Sequence, residues 1–188
     1  MSAVPDRLMT SEEFVDWAMR QPGGRYELVA GRIVAMAPER ALHNLTKVAV
    51  VRALQDAVAR ASVPCFVYGD GMTVVIDKDN SREPDALVQC GKPIERWATS
   101  ADAPLIVVEV VSPSSGRADN LDKLIEYFSL PTVRHYLIVN PELEVVIHHA
   151  RLANDDAIMT RILRDGDVEL EPPGISFSVR GLFGALPP

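Results

Sequence analysis

The sequence predicts a single α/β domain, and three stretches carry that expectation. Leu105 to Val111, LIVVEVV, is the most β-prone run in the chain and reads as a central strand buried on both faces. His43 to Ala61 sets Leu45, Val48, Ala49, Val51, Leu54, Ala57 and Val58 at helical spacing. Asp119 to Leu130 resumes that spacing through Leu121, Leu124, Ile125 and Phe128, until Pro131 stops it. With 47% of its 188 residues hydrophobic, the chain can bury one sizeable core but not comfortably two.

The remaining elements follow in order. Thr10-Ser11-Glu12-Glu13 forms a capping box ahead of an amphipathic stretch through Phe14, Val15, Trp17, Ala18 and Met19, which Gln21-Pro22-Gly23-Gly24 ends. Tyr26 to Ala30 and Arg32 to Ala37 alternate as hairpin strands do around Ala30-Gly31, with Glu27 opposite in sense to Tyr26 and Leu28. Cys65 to Tyr68 and Met72 to Ile76, joined by Gly69-Asp70-Gly71, read as a second hairpin, and Asp85 to Gln89 as a further strand. Residues 91–103 show little periodicity and read as a surface loop. Ser112-Pro113-Ser114-Ser115-Gly116 breaks the central strand before the last long helix. His135 to Val139 and Leu143 to His149 form another hairpin through Asn140-Pro141-Glu142. Short strands are expected at 157–163 and 168–170, and Pro187-Pro188 is expected to fray. No internal repeat is visible.

Charge and cysteine usage narrow the classes of function. A formal charge of −7 opposes tight unaided binding to duplex DNA, which draws on a basic surface. It allows an enzyme whose acidic residues surround a divalent cation, because the ion reverses the field a phosphate feels. No run of about 18 uncharged apolar residues is present, and MSAVPDRLMT lacks the apolar stretch of a secretory signal. A cytoplasmic protein without a membrane partner is therefore expected. Cys65 and Cys90 show no CxxC or Cys/His spacing and read as reduced structural thiols rather than zinc ligands or a disulfide.

Glu109 is the single charge inside LIVVEVV. An ionised group buried without a partner costs several kcal/mol, so a cation of the chain or a bound metal must compensate it. Asp85, directly after Pro84, and Glu27 in the first hairpin are the available carboxylates that could converge on it. Each also reads equally well as a strand-end cap or a solvated hairpin residue. His148 and His149 point to opposite faces of their strand and make no chelating pair.

Four segments occur in a recognisable order: Arg25-Tyr26-Glu27-Leu28-Val29-Ala30-Gly31, Pro84-Asp85-Ala86-Leu87-Val88, Val107-Val108-Glu109-Val110-Val111-Ser112-Pro113-Ser114, and Asp119-x-x-x-Lys123-x-x-x-Tyr127. Val133 to Pro141 follows them. The set resembles the Uma-two-type restriction endonuclease family, a branch of the PD-(D/E)XK nuclease superfamily, over about Met9 to Ile147, leaving a β-rich extension to residue 186. The resemblance implies an α/β (α+β) fold with a restriction-endonuclease-like mixed sheet flanked by helices, acting as a homodimer. It further implies a Mg²⁺-dependent DNA endonuclease, with Mn²⁺ as a substitute, whose metal ligands are Asp85, Glu109 and, directly or through water, Glu27. Lys123 is implied as the catalytic lysine, because Val111 stands where the strand would normally supply one. His43, Tyr127 and Arg117 are supporting candidates for contact with a phosphate or for positioning Lys123. Against Lys123 stands its place well away from the Leu121, Leu124, Ile125, Phe128 stripe, although Asp119, Lys123 and Tyr127 form a column at i, i+4 and i+8. The alternative is a weak or inactive member of the same fold that binds nucleic acid or protein.

Overall fold

The computed structural model describes residues 4–21, 23–111, 117–152 and 157–186, with 117–119 described by backbone alone. Pro22, the 112–116 break, the side chains of Arg117 and Asp119, and Pro187-Pro188 therefore lie outside the described residues.

Helix α1 (Ser11–Ala18) starts at the expected capping box: Thr10 accepts from the Glu13 backbone N–H and the Glu13 side chain accepts from that of Thr10. It seals the hairpin β1 (Tyr26–Val29) and β2 (Arg32–Ala35) through Phe14, Trp17 and Leu28. Helix α2 (Ala41–Ala61) runs 21 residues, ends at Ser62 in the left-handed conformation, and leads into β3 (Cys65–Gly69). Next come β4 (Thr73–Val75), β5 (Ser81–Arg82), β6 (Ala86–Cys90), β7 (Ser100–Ala101) and the long strand β8 (Pro104–Val110). Helix α3 (Arg117–Ser129) connects β8 to β9 (His135–Asn140), and β10 (Val145–Arg151), β11 (Ile158–Leu163), β12 (Asp167–Leu170), β13 (Ile175–Ser178) and α4 (Val179–Gly184) complete the chain.

These elements form a mixed α+β fold. The main sheet has the order β11-β10-β9-β8-β6-β3, with β8 and β9 parallel and the other pairs antiparallel. A second sheet has the order β2-β1-β5-β4-β7, and β12 pairs with β13 alone. The expected central strand is central, and both its faces are buried. Ile106, Val108 and Val110 pack with Val50 and Leu54 of α2 and with Phe177 and Phe183 near the C-terminus. Val107 and Val111 pack with Val74 and with Tyr127, Phe128 and Tyr136. A strand flanked on both sides must be apolar at every position, so the one residue that breaks the pattern, Glu109, is forced into a chemical environment of its own.

Several expectations are corrected. The strands at 65–76 exist but do not pair: Gly69-Asp70-Gly71 carries the chain from one sheet to the other, so β3 joins β6 while β4 joins β5 and β7. The segment at 91–103 contains β7, whose Ala101 is buried beside β4. Strand β13 and helix α4 were too short to produce a periodic signal. Cys65 and Cys90 form a disulfide rather than two thiols. Antiparallel register places them directly opposite, with Cα atoms 3.9 Å apart, a proximity that their separation of 25 residues conceals.

The histidines of β9 and β10 illustrate how the C-terminal segment is tied down. The Pro172 carbonyl can only accept, so His135 Nε2 donates to it at 2.8 Å. His135 Nδ1 must then accept from His148 Nε2 at 2.9 Å, and His148 Nδ1 is left as a buried lone pair without a partner. His149 turns to the other face and meets Thr160 at 2.8 Å. Burial, with His135 and Arg161 adding to it, pushes His148 down to about 4, and His135 and His149 are lowered by burial too. Folding therefore holds His148 neutral where the unfolded chain would protonate it. Stability from this source is complete above about pH 6.5 and is lost as pH falls towards 4, by up to roughly 3 kcal/mol. Urea unfolding at stepped pH should show a shallower loss between 6.5 and 4 in His148→Gln than in wild type; equal slopes would contradict the assignment.

Candidate metal centre

Asp85 sits one residue before β6, and its own backbone N–H joins the ladder at the Val108 carbonyl, 3.0 Å away. Its Oδ2 accepts from the Val110 N–H at 2.6 Å, and Lys47 Nζ of α2 lies 2.9 Å from Oδ1. His43 Nε2, one turn before Lys47 on α2, stands 3.7 Å from Oδ2. Burial alone would raise the Asp85 carboxyl, but His43, Lys47 and the Val110 N–H outweigh it and hold the group below its ordinary value.

Glu109 lies on the α3 side of β8. Its Oε2 accepts from Lys123 Nζ at 3.0 Å and its Oε1 from the Tyr127 hydroxyl at 2.7 Å. Lys123 also stands 3.3 Å from Glu27 Oε1, and Arg82 donates to Glu27 Oε2 at 3.0 Å. The same Arg82 forks onto Glu126 at 2.6 and 3.0 Å. Burial lifts the Glu109 carboxyl to about 7; Lys123 opposes that rise, while the charges of Asp85 and Glu27 reinforce it. Arg82 is held firmly protonated because Glu126 and Glu27 outweigh the cost of its burial. Tyr127 is raised well above its ordinary value by burial and by Glu109, so its hydroxyl stays a donor.

The sequence objection to Lys123 has a structural answer. Leu121 and Ile125 are 56% and 63% exposed, whereas Lys123, Tyr127 and Phe128 are 7%, 0% and 7% exposed. Helix α3 is thus rotated by roughly 80° from the orientation its apolar stripe would choose. Lys123 and Tyr127 each find a Glu109 oxygen, and those bonds hold two polar side chains inward in place of two apolar ones.

Sequence reasoning missed the other half of the cluster. Lys47, 5% exposed, contacts Glu39, Asp70 and Asp85. Burial disfavours its charge, yet those carboxylates win and raise it. Arg25 contacts Glu39, Asp70 at 3.0 Å and Glu83 at 2.7 Å. One available signal was the His43/Lys47 pair at i, i+4, the same spacing that drew attention to Lys123 and Tyr127. Another was Arg82-Glu83-x-Asp85, three charges within four residues beside a predicted strand. Among the described residues the two halves bring seven carboxylates, Glu27, Glu39, Asp70, Glu83, Asp85, Glu109 and Glu126, against the four cations Arg25, Lys47, Arg82 and Lys123. If all ionise, the cluster carries three negative charges in excess. Among the described residues, Glu39, His43 and Asp85 offer ligand atoms within 4.8 Å of one another; Glu27 and Glu109 lie outside that trio, behind Lys123. Oxygen-rich donors with surplus negative charge fit a hard divalent cation, with Asp85 common to both sets.

The family model described as "Putative restriction endonuclease", Uma2, matches residues 11–181. The chain belongs to the Uma2 family. The match takes in Glu27, Asp85, Glu109 and Lys123, and extends through β13 into α4, beyond the expected limit near Ile147. Two Synechocystis proteins are similar over nearly their full lengths. "Uncharacterized protein slr1290" is 26% identical over 98% of this chain and 96% of its own. "Uncharacterized protein sll1609" is 21% identical over 91% and 96%. The Uma2 chain also shares its fold with a crystal structure from Anabaena variabilis described as "a putative nuclease belonging to DUF820". That likeness has a TM-score of 0.72 at 17% identity and covers 94% of this chain and 98% of the other. No helix among the described residues is long and apolar enough to cross a membrane.

Arg82 provides a direct check on the buried network. Replacing it by Met leaves Glu27 and Glu126 without their shared cation, which should destabilise the protein by about 3–5 kcal/mol. In denaturant titrations, adding Glu27→Gln to Arg82→Met should recover part of that loss. Additive losses would show that the pair does not interact as described.

Proposed function

We propose that this protein is a divalent-metal-dependent DNA endonuclease that hydrolyses phosphodiester bonds at Asp85 and Glu109. The observation that carries the reading is Glu109 itself, a carboxylate at the centre of the main sheet, raised to about 7 and bracketed by Lys123, Asp85 and Glu27. Membership of the Uma2 family and the nuclease-like fold support it. Asp85 and Glu109 would hold Mg²⁺, or Mn²⁺ in its place, with Glu27 contributing directly or through water. When bound, such an ion polarises a phosphoryl oxygen and makes a coordinated water nucleophilic at neutral pH.

The chain's own groups prepare that site. The Val110 N–H fixes the rotation of the Asp85 carboxylate, and the Tyr127 hydroxyl fixes that of Glu109. Lys123 Nζ, between Glu27 and Glu109, is placed to donate a hydrogen bond where negative charge builds on a phosphate oxygen. Lys47 performs the equivalent task beside Asp85, and His43, near its open side, is placed to accept or return a proton.

A second reading rests on one observation: Val111, 9% exposed, occupies the place where the strand would supply a lysine. It makes the protein a binding member of the fold without turnover. Incubation of supercoiled plasmid with Mg²⁺ or Mn²⁺ separates the two. Wild type should nick or linearise the plasmid and EDTA should stop it. Asp85→Ala and Glu109→Ala should each lower the rate by about 100-fold or more. Nicking by both variants at the wild-type rate would refute the assignment, and silence of the wild type would favour the second reading.

A further inference from the structure

One face of helix α2 runs beside the charged cluster, and of its five residues only Val51 packs against the core. Asn44, Val48, Arg52 and Gln55 are exposed along it and Val51 is half-buried, at spacings that bring all five to one side of the helix. Together with Lys47, Gly69, Asp70 and Asp85 they line a cleft of about 360 Å³. Beyond Asn44 and Asp70 a second cavity of about 470 Å³ continues to Arg25. The first cleft includes the candidate metal ligand Asp85, and the two cavities share Asn44 and Asp70.

We propose that this cleft seats one unpaired deoxynucleotide of a single DNA strand, next to the phosphate being cut. The inference rests on the nuclease reading above. The volume lies at the small end of ligand pockets and matches one nucleotide rather than a base pair. Its lining has the parts such a unit needs. Val48 and Val51 give an apolar surface for the face of a base, the side-chain amides of Asn44 and Gln55 offer donors and acceptors to base edges, and Arg52 supplies a cation for one flanking phosphate. An overall charge of −7 points the same way, since a strand gripped through a base and one or two phosphates needs little of the basic surface that a duplex demands.

The test is fluorescence anisotropy of a labelled 12-nucleotide single strand and of its duplex, in Ca²⁺ with the Glu109→Ala protein so that no cutting intervenes. The single strand should bind at least tenfold tighter than the duplex, with a shallow salt slope of about −1, corresponding to one or two phosphates. Arg52→Ala should weaken the single strand about tenfold and flatten the slope by about 0.7. Val48→Glu, also at an exposed position, should weaken it at least as much, and circular dichroism should show both variants folded. Duplex preference, or single-strand binding unchanged in both variants, overturns the inference. Cleavage of the same labelled single strand by wild type in Mg²⁺ is scored separately. Cleavage with unaltered binding in the variants refutes the cleft alone, whereas tight single-strand binding without cleavage refutes the nuclease reading and leaves the cleft as a binding site.

Discussion

A carboxylate in the middle of a strand covered on both faces needs compensation, and much of the architecture around β8 follows from supplying it to Glu109. Desolvation at that position disfavours the charged form strongly enough to lift the group to about 7 even with Lys123 beside it. Helix α3 turns its Lys123 and Tyr127 inward to meet the two oxygens and leaves Leu121 and Ile125 in water. Lys123 in turn fixes Glu27, Glu27 holds Arg82, and Arg82 holds Glu126. The hairpin, the helix and the central strand are thus joined by charge as well as by packing.

The same reasoning explains why the cluster suits function better than stability. Apolar residues of similar volume would pack β8 without any desolvation penalty, and buried ion pairs are often no more stable than such replacements. Three of its carboxylates, Glu27, Asp85 and Glu109, are buried and the rest line the rim of the cluster, a costly arrangement in a core and one that suits the proposed divalent cation. Lys47 pairs with the buried Asp85, and Lys123 bridges the buried Glu27 and Glu109.

Legibility in the sequence followed the range of the interactions. Local signals were read well: the Thr10 capping box, the β1–β2 hairpin, α2, β8 and the β9–β10 hairpin all rest on neighbours within one turn or one pleat. Pairings between distant segments were not, which is why β3 and β4 were joined to each other and the Cys65–Cys90 bridge was missed. For the site, one buried charge in an apolar strand singled out Glu109, and the family resemblance supplied Lys123 against the helical pattern. Lys47, Arg82 and Arg25 were passed over because a lone basic residue in a sequence looks solvated until its carboxylate partners are known. Arg117 remains outside the described side chains.

The central claim is that Asp85 and Glu109 converge to bind a divalent cation in place of part of their present compensation. Anomalous diffraction from crystals soaked in Mn²⁺ tests it most directly. The account predicts a single strong peak about 2.2 Å from one oxygen of each carboxylate, with Lys123 Nζ drawn back from Glu109. A protein that takes up no manganese there, with its lysines still bonded as they are now, would contradict it.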